Sequence, residues 1–160
     1  MSERNRSQAV DRRTFVILAT GAAAGAVMAR PGTARAATSE EVEKAVRKAI
    51  GDKNAKSGKG VVELEVPQIA ENGNTVPIGV RVDSPMTAED HVTAVHIFAL
   101  GNPSPDVVSF RFTPQSGRAE AATRMRLAKT QNVVAIAETS KGEAYRTEAE
   151  IKVTIGGCGG

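Results

Sequence analysis

The chain has 160 residues, enough for one ordinary domain with a hydrophobic core but too few for two unless both are minimal. The formal net charge is +3, but residues 1–36 hold six arginines against two acidic residues, so they carry +4 and the remainder carries −1. Aromatic residues make up only 3% of the chain. A near-neutral body with so few rings lacks the basic patch and the stacking platform of a nucleic-acid-binding protein.

The first 36 residues follow the order of an export signal, with a basic segment, an apolar stretch and a small-residue cleavage site. The pair Arg12-Arg13 at the start of the apolar stretch is typical of a twin-arginine signal. The apolar run over residues 14–29 is shorter than the about 20 residues that a membrane-spanning helix needs. An Ala-Arg-Ala sequence ends at Ala36. We therefore predict cleavage after Ala36 and a periplasmic mature chain that is not held in the membrane.

Residues 37–59 are predicted to form an N-terminal helix and a linker. The spacing of apolar residues over 38–50 predicts an amphipathic helix whose stripe consists of Val42, Ala45, Val46, Ala49 and Ile50. Thr38 and Glu41 have the spacing of a capping box, and Gly51 is a typical stop. Residues 52–60 are rich in Lys, Gly and Ser and show no apolar pattern, so we expect a mobile linker there.

From residue 61 onward apolar residues recur at every second position instead of every third or fourth, which indicates strands. Turn signals such as Asn72-Gly73 and Ser84-Pro85 separate the apolar runs. Seven strands are predicted, over residues 61–66, 76–82, 91–100, 107–113, 119–127, 133–138 and 144–155. Short strands at regular spacing, without helices between them, predict a mainly β fold. We expect an immunoglobulin-like antiparallel β-sandwich of about seven strands over residues 60–155, with the N-terminal α-helix added to it.

The last five residues are Gly156, Gly157, Cys158, Gly159 and Gly160, and they are predicted to form a flexible arm, residues 156–160. Glycine on both sides removes side-chain bulk and most restriction on φ. At about 3.3 to 3.6 Å per residue, Cys158 reaches on the order of 10 Å beyond residue 155.

Cys158 is the single cysteine, so the chain cannot form an internal disulfide. No cation lies near Cys158 in the sequence to activate its thiol, which favours a substrate attached covalently to this thiol and processed inside other proteins. An inert thiol, or one that forms only intermolecular disulfides, is the alternative.

Other candidate sites are weak, so we expect no catalytic residues, no metal site and no cofactor. His91 and His96 are five apart, so on one strand they face opposite sides and cannot bind one metal together. Arg124 and Arg126 alternate with apolar residues, which is more typical of a solvated strand face than of an anion site. No Ser-His-Asp order, paired carboxylates or phosphate loop stands out.

The sequence closely resembles the SoxY family, the sulfur-carrier subunit of the bacterial Sox thiosulfate-oxidising system. The terminal Gly-Gly-Cys-Gly-Gly after Val153-Thr154-Ile155 matches the family's signature. Further likeness runs through most of the mature chain, at residues 71–77, 83–86, 112–114 and 131–135.

The resemblance implies a carrier that is not itself an enzyme. It would form a heterodimer with a SoxZ-like subunit that is exported alongside it. A haem cytochrome would join thiosulfate oxidatively to Cys158, a manganese-dependent thiosulfohydrolase would release sulfate, and a sulfane dehydrogenase would oxidise the remaining sulfur.

Two other functions remain open. One is a ubiquitin-like carrier that activates its terminal Gly-Gly as a thiocarboxylate, with Cys158 incidental, although export argues against the cytosolic adenylation that this needs. The other is a periplasmic binding module whose sandwich loops hold a ligand.

Overall fold

The computed structural model describes residues 35–154. The predicted export signal and the predicted Cys158 arm lie outside the described residues. The described elements are one α-helix and nine strands: α1 (Ser39–Ile50), β1 (Ala55–Ser57), β2 (Val62–Glu65), β3 (Ile69–Ala70), β4 (Val76–Val82), β5 (Val92–Ala99), β6 (Asp106–Arg111), β7 (Ala119–Met125), β8 (Gln131–Thr139) and β9 (Ala144–Val153).

The strands form two sheets that pack face to face. The larger sheet has the order β1-β9-β8-β5-β6, with β3 also paired to β9, and the smaller has the order β2-β4-β7. Pairing is antiparallel throughout except that β1 and β3 run parallel to β9. The prediction of an immunoglobulin-like β-sandwich with an N-terminal helix is confirmed. All seven predicted strands are present, and β1 and β3 are two short strands that the apolar pattern does not reveal.

The core lies between the two sheets. In β4 every second residue is buried, at Val76, Ile78, Val80 and Val82, as the period of two predicts. The larger sheet contributes alternate residues of its central strands to the same cluster, namely Val95, Ile97, Val133, Ala135 and Ile151.

Helix α1 covers the outer face of the larger sheet. Ile50 packs there against Phe98, Val134 and Ile136, which explains why β5 and β8 are buried on both faces. The predicted capping box is present, since the Thr38 hydroxyl oxygen accepts from the Glu41 amide (3.3 Å) and the Glu41 carboxylate accepts from the Thr38 amide (2.6 Å). No helix within residues 35–154 is long and apolar enough to cross a membrane.

The segment predicted as a mobile linker contains a strand. Residues 55–57 pair in parallel register with residues 144–146 of β9, and the Gly58 amide donates to the Arg146 carbonyl at 2.7 Å. A Cβ at Gly58 would lie 2.8 Å from that carbonyl oxygen, so glycine permits the close approach. The prediction was wrong over 55–58 because β1 joins the sheet through backbone hydrogen bonds, which leave no apolar signature in the sequence.

Two isoleucines allow one substitution to be compared in the core and on the surface. Ile151 is fully buried, whereas Ile69 is 58% exposed. Ile151→Ala should lower the free energy of unfolding by about 2–5 kcal/mol, because it removes buried methyl groups and leaves a cavity. Ile69→Ala should change it by less than about 0.5 kcal/mol. Urea unfolding followed by circular dichroism measures both, and equal effects would contradict this placement of the core.

Candidate attachment site for a covalent substrate

Strand β9 leads directly into the predicted arm. It is paired with β8 along one edge, from Gln131↔Ile151 to Glu138↔Ala144. Its other edge is paired with β1 near the start of the strand and with β3 at its end. The last described residue, Thr154, therefore directly follows a strand that is paired on both sides near its end.

The end of β9, which we call the arm root (residues 152–154), is fixed by hydrogen bonds from both neighbours. The Lys152 amide donates to the Gln68 carbonyl and the Thr154 amide donates to the Ala70 carbonyl, each at 3.0 Å. On the other side the Val153 amide donates to the Thr130 hydroxyl oxygen at 2.9 Å. The backbone of the arm root is thus tied at three consecutive residues.

A glycine next to the arm root explains part of the local sequence. A Cβ on Gly73 would lie 2.5 Å from the Leu127 carbonyl oxygen and 2.9 Å from Val153 Cγ1. The Leu127 amide also donates to the Gly73 carbonyl at 2.7 Å. The Asn72-Gly73 turn predicted from the sequence therefore does more than reverse the chain, because the absence of a side chain at Gly73 lets two loops close against β9.

The surface beside the arm root carries one large apolar side chain. Ile69 of β3 pairs with Lys152 of β9, and paired residues project from the same face of a sheet. Lys152 is exposed together with Ile69.

One cavity lies away from the arm root. Its volume is about 650 Å³, and its lining includes Lys59, Arg81, Arg118 and, from β9, Thr147. Thr154 is seven residue steps from Thr147 along the extended chain, which corresponds to about 23 Å. Four residue steps from Thr154 to Cys158 span at most about 14 Å. The span from Thr154 to Cys158 is therefore shorter than the distance from Thr154 to Thr147.

A buried polar network on the outer face of the larger sheet was missed by the sequence reasoning. His96 Nε2 lies 2.9 Å from a carboxylate oxygen of Glu138, and His96 Nδ1 lies 2.7 Å from the Ser109 hydroxyl oxygen. Lys53, in the segment after α1, donates to the second Glu138 carboxylate oxygen. The only sequence signal for this network was a histidine within a strand that is apolar on both faces. The partners of His96 are Glu138 and Ser109, which lie 42 and 13 residues away along the chain.

Glu138 is held as a carboxylate by this network. Burial raises the pKa of Glu138, but the hydrogen bonds donated by Lys53 and His96 outweigh burial, and the net pKa lies below its usual value. A carboxylate in this position stays charged at neutral pH, and its charge ties the segment after α1 to the sheet.

The remaining predicted candidates are placed apart. His91 precedes β5, and its Nδ1 lies 3.0 Å from the Thr87 carbonyl oxygen, so it shares no partner with His96. Arg124 is exposed on β7 and Arg126 follows that strand. Within residues 35–154 no three His, Cys, Asp or Glu side chains are grouped as metal ligands.

The fold and the chain terminus together define an immunoglobulin-like β-sandwich protein whose last strand runs into a glycine-flanked cysteine. The family model described as sulfur oxidation protein SoxY matches residues 46–158. The chain belongs to the SoxY family. No curated protein is found to match it.

Solved structures agree with this family and fold. The sulfur carrier protein SoxY from Chlorobium limicola f thiosulfatophilum is 33% identical, with a TM-score of 0.62, and the match covers 74% of this chain and 100% of that one. A superoxide reductase (neelaredoxin) from Ignicoccus hospitalis is 17% identical with a TM-score of 0.54, covering 59% of this chain and 80% of that one. A putative superoxide reductase from Thermotoga maritima is 19% identical with a TM-score of 0.53, covering 64% and 94%. These last two share the fold alone.

Removing Lys53 tests the buried network. In the native chain the lowered pKa of Glu138 stabilises the fold above the unfolded-state value of about 4.3, and this contribution is lost as the pH falls through the folded-state pKa. In Lys53→Met the pKa of Glu138 should rise, because one of the hydrogen bonds that outweigh burial is lost, so the drop in stability on acidification should be smaller than in the native chain. The loss of stability at neutral pH should be about 1 kcal/mol, since the Lys53 side chain is 40% exposed and solvent screens the pair.

Urea unfolding of both proteins at about pH 7 and about pH 4 measures these changes. Lys56→Met is the matched control, because Lys56 pairs with Glu143 at the surface, where the side chains are 61% and 37% exposed. It should leave stability nearly unchanged. If the free energy of unfolding falls by the same amount between neutral and acidic pH in Lys53→Met and in the native chain, Lys53 does not control the pKa of Glu138.

Proposed function

We propose that the chain is a periplasmic sulfur carrier that holds intermediates of thiosulfate oxidation covalently on Cys158 and presents them to partner enzymes. The observation that carries the proposal is that the SoxY family match runs through to residue 158, the single cysteine, which has two glycines on each side. The carrier itself performs no catalysis.

The hydrogen bonds of the arm root support a carrier in which residues 152–154 are held in place and Cys158 moves. Three consecutive backbone groups at residues 152–154 are hydrogen-bonded, so the strand delivers the chain end in a set direction. Glycines on both sides of Cys158 allow φ values that other residues reach only with strain, and they add no side-chain bulk. The thiol enters a narrow channel of another protein while the sandwich stays outside.

The chemistry needs only the thiol from this chain. Cys158 and thiosulfate lose two electrons and one proton as a sulfur–sulfur bond forms, which leaves a Cys–S–S–SO₃⁻ adduct. The electrons go to the haem cytochrome that the family resemblance implies. Water then cleaves the bond to the terminal sulfur at the manganese-dependent thiosulfohydrolase, which releases sulfate and two protons and leaves a Cys–S–S⁻ persulfide. The sulfane dehydrogenase then takes six electrons from that outer sulfur while three water molecules supply its oxygens and six protons leave, which gives a Cys–S–SO₃⁻ group.

Partner proteins supply the catalytic groups that the Cys158 arm lacks. Each enzyme that receives Cys158 must approach within about 14 Å of Thr154, because four residue steps cannot span more. The Ile69–Lys152 pair lies inside this radius, since Lys152 is two residues from Thr154. A SoxZ-like subunit completes the carrier as a heterodimer. Export by the twin-arginine signal of residues 1–36 places the carrier in the periplasm.

The covalent adduct is tested by the intact mass of the protein purified from thiosulfate-grown cells. We expect species heavier than the unmodified chain by sulfur-containing groups, and these should disappear on reduction with a thiol reagent. Cys158→Ser should carry none of them and should abolish thiosulfate-dependent electron transfer to the cytochrome. Adducts that persist in Cys158→Ser would rule out Cys158 as the attachment site.

Two further outcomes separate the alternative functions. Amidating the C-terminus while keeping Cys158 should leave sulfur transfer intact, whereas a thiocarboxylate carrier of the ubiquitin-like type would lose it. A binding module that uses a cavity, such as the one lined by Lys59 and Arg118, would keep its function in Cys158→Ser. Loss of function in Cys158→Ser together with retention after amidation is the pattern that supports the carrier.

A further inference from the structure

A serine, a histidine and a glutamate are linked by hydrogen bonds on the outer face of the larger sheet. The Ser109 hydroxyl oxygen lies 2.7 Å from His96 Nδ1, and His96 Nε2 lies 2.9 Å from a Glu138 carboxylate oxygen. Nucleophilic serines are recognised by this geometry, in which a base contacts the hydroxyl and a third group orients the base. The three residues lie on β6, β5 and β8, so only the folded sheet brings them together.

The register of β5 against β6 explains the short contact between Ser109 and His96, which lie directly opposite each other. The Phe112 amide donates to the Thr93 carbonyl, so these two residues form a hydrogen-bonded pair of the antiparallel ladder. Such pairs alternate with narrow pairs, in which the side chains lie closest. Ser109 and His96 come three positions further along the ladder, so they form a narrow pair, and the Ser109 N–H points away from β5.

The charge of Glu138 sets the proton positions on the His96 ring. Burial raises the pKa of Glu138, but the hydrogen bonds that Lys53 and His96 donate bring it below its usual value. A carboxylate only accepts hydrogen bonds, so His96 Nε2 must carry a proton. In the neutral ring Nδ1 then carries a lone pair and accepts the Ser109 hydroxyl proton. The network thus places a base against the Ser109 hydroxyl.

Ser109 is the solvent-facing end of this network. Ser109 is exposed, whereas His96 is 5% exposed, so a reagent in solution reaches the hydroxyl and not the base behind it. The Ser109 N–H faces the outer edge of β6, with which no strand within residues 35–154 pairs. A backbone N–H beside a nucleophile donates to the oxygen on which charge develops during acyl transfer. Arg111, two residues further on, is exposed on the same face and adds a positive charge nearby.

We propose that Ser109 is a nucleophile that accepts an acyl group from an activated ester, so that the chain is modified at this serine. The Ser109 oxygen bonds to the acyl carbon while its proton passes to His96 Nδ1. The bond from the acyl carbon to the leaving alkoxide then breaks. The alkoxide takes the proton from His96 and departs as an alcohol, so the step needs no oxidant and no further reactant.

The acyl group should stay on Ser109 because the base behind it is covered. His96 is buried, with Glu138 against one ring nitrogen and the Ser109 oxygen against the other. Once the ester has formed, the Ser109 oxygen still covers His96 Nδ1, so water has no direct path to the nitrogen that would activate it. The reaction is therefore a single acylation and not a catalytic cycle.

This site lies apart from the Cys158 arm. Strand β6 is three strand spacings from β9 in the larger sheet, which corresponds to about 14 Å. The proposal is independent of the covalent chemistry of Cys158, and its failure would leave the carrier function untouched.

The test treats the purified chain carrying Cys158→Ser with p-nitrophenyl acetate, because that substitution removes the competing thiol. Mass spectrometry of proteolytic peptides should find an acetyl group on Ser109, and the absorbance of released p-nitrophenol gives the rate. Ser109→Ala should lose this acetyl group, whereas Ser140→Ala should be labelled like the parent. Ser140 is the matched control, since it is also exposed but its hydroxyl donates to the Glu89 carbonyl oxygen at 3.2 Å, which does not act as a base.

Two further variants test the base. His96→Gln should slow the labelling of Ser109 about 100-fold, because the imidazole no longer takes the hydroxyl proton. Since replacing a buried residue risks unfolding the chain, Ser109→Cys in the same background tests the base with His96 in place. Its thiol should react with iodoacetamide at about pH 7 about tenfold faster than the thiol of Ser140→Cys, because a neighbouring histidine favours the thiolate.

Three results overturn the proposal. The first is acetylation that is found on lysines but not on Ser109. The second is labelling of Ser109 in His96→Gln at the rate of the parent. The third is an equal rate of iodoacetamide reaction in Ser109→Cys and Ser140→Cys, which would show that His96 does not activate a nucleophile at this position.

Discussion

Strand β9 is hydrogen-bonded on both of its edges, and the proposed function of the Cys158 arm depends on this. Its antiparallel partner β8 fixes one side, and the two short parallel strands β1 and β3 fix the other at either end. Ile151 anchors the same strand in the core. A carrier must hold its tether firmly at one end, because a strand that frayed would spread the thiol over a larger volume and weaken its presentation. In the proposed function, the hydrogen bonds up to Thr154 would fix the start of the arm and the glycines around Cys158 would leave its thiol accessible.

The outer face of the larger sheet is stabilised in two different ways. Helix α1 contributes an apolar contact through Ile50, Phe98 and Val134. The segment after the helix adds a charged contact, in which Lys53 reaches Glu138 and, through it, His96. A buried carboxylate is costly unless it is paired, so the network requires Lys53 to remain in place. The smaller sheet has no helix over its outer face within residues 35–154, where Arg81 instead lies among Glu63, Glu65 and Glu120.

Much of this fold was predictable because the signals are local. The alternation in β4 and the Thr38–Glu41 capping box each depend on residues within a few positions of one another. Strands β1 and β3 were not predictable, since they join β9 through backbone groups and bury little side chain. The His96–Glu138 contact depends on the register of β5 against β8, which no short sequence window contains. The role of Cys158 was inferred from residue pattern and family likeness, and it lies outside the described residues.

The parallel pairing of β1 with β9 also bears on when the chain can acquire its structure during synthesis. Residues 55–57 must wait for partners at 144–146, which are translated 89 residues later. A nascent or prematurely terminated polypeptide lacks the strand that joins the early segments to the rest of the larger sheet. The larger sheet can therefore be completed only after residues 144–146 have been translated.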